Sequence, residues 1–118
     1  MKGVHMLELE QSKFHTLTKD HLDEYVPSCP GVYILAIRLA NGVHQVAYTS
    51  QADNLYGSLR SIIEREPTVS SIVHEILNRY QCYFSYVVID RDELRGEVEK
   101  MLVHSSDPLS KLTVINCN

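Results

Sequence analysis

The chain has 118 residues, which is the size of one domain with a single hydrophobic core. Its apolar content of 44% and charged content of 22% are ordinary for a globular protein, and no apolar run approaches the ~20 residues that a membrane span needs. The net charge of −4 and the lack of any cluster of lysines and arginines argue against strong binding of nucleic acid by the chain alone.

The amino terminus and the cysteines predict a cytoplasmic protein with no membrane partner. The first residues, MKGVHMLELEQ, lack the apolar core followed by small residues that marks an exported chain. Cys29, Cys82 and Cys117 are odd in number and have no C-x-x-C spacing. We therefore expect reduced, mostly buried thiols rather than disulfides or a zinc site.

The first half of the chain predicts short strands, a short helix and a hairpin. One or two strands are predicted within residues 4–17, where apolar and charged side chains alternate loosely. A helix is predicted over 18–25, because Thr18 can cap it and a proline follows. The most clearly marked element is a hairpin of strands 32–39 and 43–49, joined by the Asn-Gly pair of a tight turn.

The second half predicts three amphipathic helices, at 53–65, 69–80 and 91–104. Asp53 is the expected cap of the first of them. A nearly continuous apolar run at 82–89 predicts a central strand, and 112–115 predicts a short last strand. This order predicts an α/β (α+β) fold in one domain, 1–118, with a small mixed, mainly antiparallel sheet and flanking helices.

Three short segments around the hairpin carry a resemblance to a known family. Pro30-Gly31-Val32-Tyr33 leads into the first strand, Tyr48-Thr49-Ser50 spans the end of the second, and Gln51-Ala52-Asp53-Asn54-Leu55 leads into a helix. In order and spacing these segments resemble the GIY-YIG nuclease domain, over roughly residues 28–110. The resemblance implies the GIY-YIG endonuclease-like fold and a site for phosphodiester chemistry.

The site that the resemblance implies surrounds a scissile phosphate. The two tyrosines of the family correspond to Tyr33 and Tyr48, and its metal-binding glutamate corresponds to Glu99, with Glu97 as the alternative. The reaction needs the attacking water to lose a proton and the growing phosphoryl charge to be offset. An active site of this type would use Mg²⁺ or Mn²⁺, and the resemblance implies no other cofactor.

Two departures from the family pattern bear on catalysis. Ser50 takes the place of a glycine that lets the backbone lie close to a phosphate, and Ser58 takes the place of a helix arginine. Arg60 is the candidate catalytic replacement, but two residues along a helix turn its side chain away by about 200°. Arg60 can pair with Glu64 at helical spacing instead. The Gly57 that precedes Ser58 predicts a less rigid first helical turn and room beside the site.

These observations leave three hypotheses. The first is a GIY-YIG-type nuclease-like domain with impaired or lost cleavage that acts as a binding or interaction module. The second is an active endonuclease that depends on a divalent metal and in which Arg60 or another cation replaces the missing arginine. The third is an unrelated small α/β domain with tyrosines placed by chance. The partner would be a nucleic acid, held weakly by an acidic chain, or another protein.

Overall fold

The computed structural model describes residues 4–103 and 112–117, and within them it contains four helices and six strands. The strands are β1 (Val4–Leu9), β2 (His15–Thr16), β3 (Gly31–Arg38), β4 (His44–Ala52), β5 (Cys82–Val88) and β6 (Leu112–Cys117). The helices are α1 (Lys19–Tyr25), α2 (Leu55–Ile63), α3 (Ser71–Arg79) and α4 (Asp92–Val103). The predicted α/β (α+β) fold class is confirmed, while residue 104, the predicted end of the last helix, lies outside the described residues.

Four of the strands form one antiparallel sheet in the order β2-β5-β3-β4. The hairpin of β3 and β4 and the strand β5 share this sheet, which confirms the prediction that they do. Strands β1 and β6 pair with each other in a separate two-stranded sheet. Every ladder in the described residues is antiparallel, so the mainly antiparallel character that the sequence predicts holds across this part of the chain.

Strand β3 is buried on both faces of the sheet because side chains alternate along a strand. Tyr33 and Leu35 lie on the face that α1, α2 and α3 cover, called here the α2 face. Val32 and Ile34 lie on the opposite face, which α4 covers and which we call the α4 face. The helices contribute Leu22, Leu59 and Val73 to the first core, and Leu94 and Val98 to the second.

A β-bulge in β4 directs two neighbouring side chains to different faces. Leu35 pairs with Tyr48, but the next residue, Ala36, pairs with Val46, so Ala47 has no partner in the ladder. Residues two apart in a regular strand point to the same face. The bulge instead lets Tyr48 pack with the α2-face core while Val46 packs with the α4-face core.

The helix caps agree with the sequence at α1 and differ at α2. Thr18 caps α1, as predicted, by accepting a hydrogen bond from a backbone N–H of the first turn. The prediction that Asp53 caps α2 is wrong, because Asn54 Oδ1 accepts the hydrogen bond from the Gly57 N–H at 3.0 Å. Both residue types cap well, but Asn54 directly precedes Leu55, the first residue of α2, whereas Asp53 lies one position earlier and accepts a hydrogen bond from Arg95 at 3.1 Å.

Two findings concern expectations drawn from composition. No helix in the described part of the chain is long and apolar enough to cross a bilayer. Cys29 and Cys82 carry free thiols, and Cys82 is buried. Burial raises the pKa of the Cys82 thiol, so it remains protonated and weakly reactive at neutral pH.

Candidate functional site

Tyr33 and Tyr48 line one open cleft between the sheet and the helices α2 and α3. Their ring centroids are 6.4 Å apart and the ring planes are tilted by 39°. The cleft has a volume of about 410 Å³, which is within the range of small-molecule sites. The structure therefore brings together the two tyrosines that the resemblance expects at a common site, through the register of β3 and the bulge in β4.

The rest of the lining is rich in hydroxyl groups and carries no charged side chain among the described residues. Within the described part of the chain, the residues that line it, called here the tyrosine cleft, are Tyr33, Tyr48, Ser58, Ser61, Ile62, Thr68, Val69, Ser70 and Val73. Six of these nine residues carry a hydroxyl group, and the other three are aliphatic. Ser58 lies in the cleft at the position where the resemblance expects an arginine.

The Tyr33 side chain is almost fully buried, with 7% of its surface exposed. Burial raises the pKa of Tyr33, the Ser50 hydroxyl beside it opposes the rise, and electrostatic interactions with Tyr48 and with the Glu99 carboxylate add to it. The Tyr33 phenol is therefore neutral at physiological pH. It can donate a hydrogen bond to a ligand, but it does not supply an anionic base.

Arg60 lies outside the tyrosine cleft. Its half-exposed side chain pairs with Glu64, with Nε 3.0 Å from Oε1. This confirms the predicted pair at helical spacing. Because Arg60 is turned about 200° around α2 from Ser58, its charge does not occupy the position of the missing arginine. The structure thus separates Arg60 from the two tyrosines with which the sequence grouped it.

Glu99 belongs to α4, which packs on the opposite face of the sheet from the cleft. Its Oε1 accepts a hydrogen bond from Gln51 Nε2 at 3.2 Å, at the edge strand β4. Glu99 does not line the cleft, although its charge is near enough to act on Tyr33. Glu97, the alternative, is exposed on the same helix.

The residues around Glu99 do not form a complete set of donors for a divalent ion. No group of three or more histidine, cysteine or acidic side chains that could hold a metal ion occurs among the described residues. Glu99 and the Gln51 carbonyl offer one carboxylate and one amide oxygen, whereas Mg²⁺ requires near-octahedral oxygen coordination. These two residues alone do not fit the ion that the resemblance implies.

The sequence did not identify the hydroxyl groups that the connection between α2 and α3 contributes. Thr68 and Ser70 lie in this segment, which has no periodic pattern. Two contacts hold it in place: Arg65 Nη1 donates to Asn78 Oδ1 at 2.7 Å, and the His74 ring contacts the Glu66 carbonyl oxygen at 3.2 Å. The partners are 8 and 13 residues apart, so no local motif marks this wall of the cleft.

Gly57 does not open the cleft, contrary to the expectation from sequence. A Cβ at this position would meet the Asn54 side chain at 3.5 Å, an ordinary contact, and Gly57 is absent from the cleft lining. The glycine lies beside the cap of α2. Its backbone N–H is the group that Asn54 caps.

Comparison of the chain with family models, curated proteins and solved structures gives no match. The likeness to the GIY-YIG nuclease domain therefore rests on the residues of this chain alone. The geometry of the tyrosine cleft and the charges around it are the features of the molecule that bear on its function.

Proposed function

We propose that this protein is a GIY-YIG-type nuclease-like domain whose phosphodiester cleavage is impaired or lost and which acts as a binding or interaction module. One observation carries the proposal. The neutral hydroxyl of Ser58 shares the cleft with Tyr33 and Tyr48, while Arg60 is held outside it by Glu64.

The physical reason is the charge that develops when a phosphodiester is cleaved. Negative charge grows on the phosphoryl and leaving oxygens, and loss of one electrostatic stabiliser typically costs ~10²–10³ in rate. A charge-assisted hydrogen bond is roughly twice as strong as a neutral one, so Ser58 is a poor substitute for arginine. A cleft of neutral hydroxyl groups can still bind and orient a ligand, which supports retention of binding without cleavage.

The partner and location belong to the same proposal. A net charge of −4 supports weak binding of nucleic acid by the chain alone, so a protein partner or an assembly would bring it to nucleic acid. The free thiols of Cys29 and Cys82 support a cytoplasmic location.

The purified full chain is tested on single- and double-stranded DNA and RNA, with Mg²⁺ or Mn²⁺ added. We expect little or no cleavage by the wild type. Ser58→Arg places a cation in the cleft, and Ser71→Arg, at the exposed start of α3, adds the same charge outside it. Cleavage gained by Ser58→Arg but not by Ser71→Arg would show that only the cation was missing.

The alternative, an active endonuclease that depends on Mg²⁺ or Mn²⁺, predicts a different result in the same assay. The wild type would cleave, cleavage would stop when the metal is chelated, and Glu99→Ala would abolish it. Glu97→Ala is the matched control, because it removes an exposed carboxylate from the same helix. That combination of results would contradict the loss of cleavage.

A further inference from the structure

The tyrosine cleft combines hydroxyl groups with a small aliphatic surface. The hydroxyl groups of Ser58 and Thr68 have no hydrogen-bond partner within the described residues, so both are available to a ligand. The Ser61 hydroxyl donates to the Gly57 carbonyl oxygen at 3.1 Å, and Ser70 Oγ accepts from the Ile72 N–H at 3.3 Å. Each of these two groups retains further hydrogen-bonding capacity.

No charged side chain of the described residues lines the cleft, so an anion would find no counter-ion there. Neither Arg60 nor Arg65 lines the cleft: Arg60 pairs with Glu64, and Arg65 donates to Asn78 on α3. The charge of Glu99, which lies outside the cleft, adds to the rise of the Tyr33 pKa. An anionic group placed there would lose hydration without gaining a counter-charge.

The aromatic geometry disfavours insertion of a planar base. The Tyr33 and Tyr48 rings already contact each other, with centroids 6.4 Å apart and planes tilted by 39°. A base therefore cannot be sandwiched between them. The ring surfaces, together with Ile62, Val69 and Val73, instead suit the C–H faces of a saturated ring.

We infer that the tyrosine cleft binds an uncharged ring that carries several hydroxyl groups, the chemistry that a free sugar and the sugar of a nucleoside share. Hydroxyl groups of the ligand would bond to Ser58, Thr68 and the tyrosines, and its C–H groups would pack on the aliphatic side chains. A cleft of about 410 Å³ accommodates a ligand of this size. The inference rests on the proposed function in taking this cleft as the binding site, and it adds the class of ligand.

The test uses the full chain and four probes: methyl β-D-glucopyranoside, uridine, uridine 5′-monophosphate and inorganic phosphate. Binding is followed by NMR through the backbone amides of residues 68–70, with probes raised into the millimolar range. We expect saturable shifts with the glucoside or with uridine, and the better of these two identifies the source of the sugar. Uridine should bind more tightly than its monophosphate, because the phosphate adds charge that the cleft does not offset.

Variants show whether the probes bind in the tyrosine cleft or elsewhere on the protein. Thr68→Val removes one exposed hydroxyl at constant shape, and loss of one neutral hydrogen bond should weaken binding about three- to tenfold. Ser71→Ala, at the exposed start of α3, is the control and should bind as the wild type does. Ser58→Arg should reverse the preference, so that the monophosphate binds more tightly than uridine.

Two results would overturn the inference: no saturable shift with either neutral probe, or tighter binding of the monophosphate than of uridine by the wild type. Neither result contradicts the proposed loss of cleavage, which the nuclease assay decides. Conversely, wild-type cleavage would contradict the proposed function without changing the order of affinities for the four probes.

Discussion

The guanidinium group of Arg95 on α4 lies 3.1 Å from the carboxylate of Asp53, 42 residues earlier in the chain. A second nitrogen of the same group contacts Asp92 in the first turn of α4. The Arg95 side chain is only 9% exposed, while both carboxylates face solvent. Arg95 thus joins the turn that precedes α2 to the start of α4, and leaves Asn54 to cap α2.

We expect the Arg95 contacts to stabilise the fold, because removing both carboxylates leaves a buried cation without a counter-charge. Asp53→Asn combined with Asp92→Asn should lower the free energy of unfolding by about 1 kcal/mol at most, because both carboxylates are exposed and asparagine keeps an acceptor oxygen. Urea unfolding measures the change. Asp90→Asn removes a nearby exposed carboxylate and should have no effect.

Repeating the two substitutions in an Arg95→Met protein shows whether the loss of stability acts through Arg95. In Arg95→Met, which retains the apolar packing, the same two asparagine substitutions should cost less, since only the favourable charge of Asp92 in the first turn of α4 is then lost. An equal loss of stability in the two backgrounds would contradict the assignment, because the carboxylates would then act through other groups.

The hairpin shows how far local patterns determine the fold. Its two strands are rich in β-branched and aromatic residues, and the Asn41-Gly42 turn is visible in the sequence, with Gly42 at a positive φ of 86°. The bulge at Ala47 could not be predicted, because no residue type marks it and it depends on which face each side chain buries. Arg95 could not be predicted as buried either, since one of its two partners lies across the fold.

In the candidate site, too, local sequence patterns predict some features, while others depend on contacts between distant parts of the chain. Tyr33 and Tyr48 could be placed together because the family pattern fixes their spacing across a hairpin, and the hairpin was well marked. Arg60 could be excluded from their surroundings by helical geometry alone. The contribution of Thr68 and Ser70 could not be predicted, because it depends on how the α2–α3 connection is held against the sheet.

Substitution by alanine should change the free energy of unfolding in opposite directions at Gly31 and at Gly57. A Cβ at Gly31 would lie 2.1 Å from the Val87 carbonyl oxygen and 2.8 Å from Leu55 Cδ1, so β3 or β5 would have to move. We expect Gly31→Ala to lower the free energy of unfolding by about 3 kcal/mol. At Gly57 the nearest atom would be 3.5 Å away, and Gly57→Ala should raise it by about 0.5–1 kcal/mol, the helix propensity difference.

Urea unfolding of the two variants against the wild type measures both effects. A stability gain at Gly57 would also show that this glycine is not required for the helix. Equal effects at the two positions would contradict the close approach of β3, β5 and α2 at Gly31.

Asp23 on α1 is predicted to titrate at low pH because of two neighbours. The Lys19 ammonium group and the Tyr56 hydroxyl both donate to its carboxylate, and the Tyr56 bond is 2.5 Å long. The hydrogen bonds from Lys19 and Tyr56 lower the pKa of Asp23 below its ordinary value of 3.8. Stability from this group is therefore present above about pH 4 and is lost as the pH falls through the lowered pKa.

The Asp23 carboxyl signal in an NMR titration reports this directly. Tyr56→Phe removes one donor and should move the Asp23 pKa back toward its ordinary value. Tyr25→Phe, on the same helix α1, leaves both donors in place and is the control. An Asp23 pKa that does not respond to Tyr56→Phe would show that the hydrogen bond contributes nothing in solution.

Tyr33 should make stability depend on pH on the alkaline side. Burial raises the pKa of Tyr33 above its ordinary value of 10.0, so above about pH 10 the unfolded chain loses this proton before the folded protein does. The free energy of unfolding should therefore fall as the pH rises from about 10 through the folded pKa.

Tyr33→Phe should make that fall shallower, although Tyr86, whose pKa burial also raises, will maintain part of it. Ser50→Ala should act in the opposite direction, because the Ser50 hydroxyl lowers the pKa of Tyr33. Urea unfolding at several alkaline pH values measures the slopes, and identical slopes for the wild type, Tyr33→Phe and Ser50→Ala would contradict the buried environment of Tyr33 in the cleft.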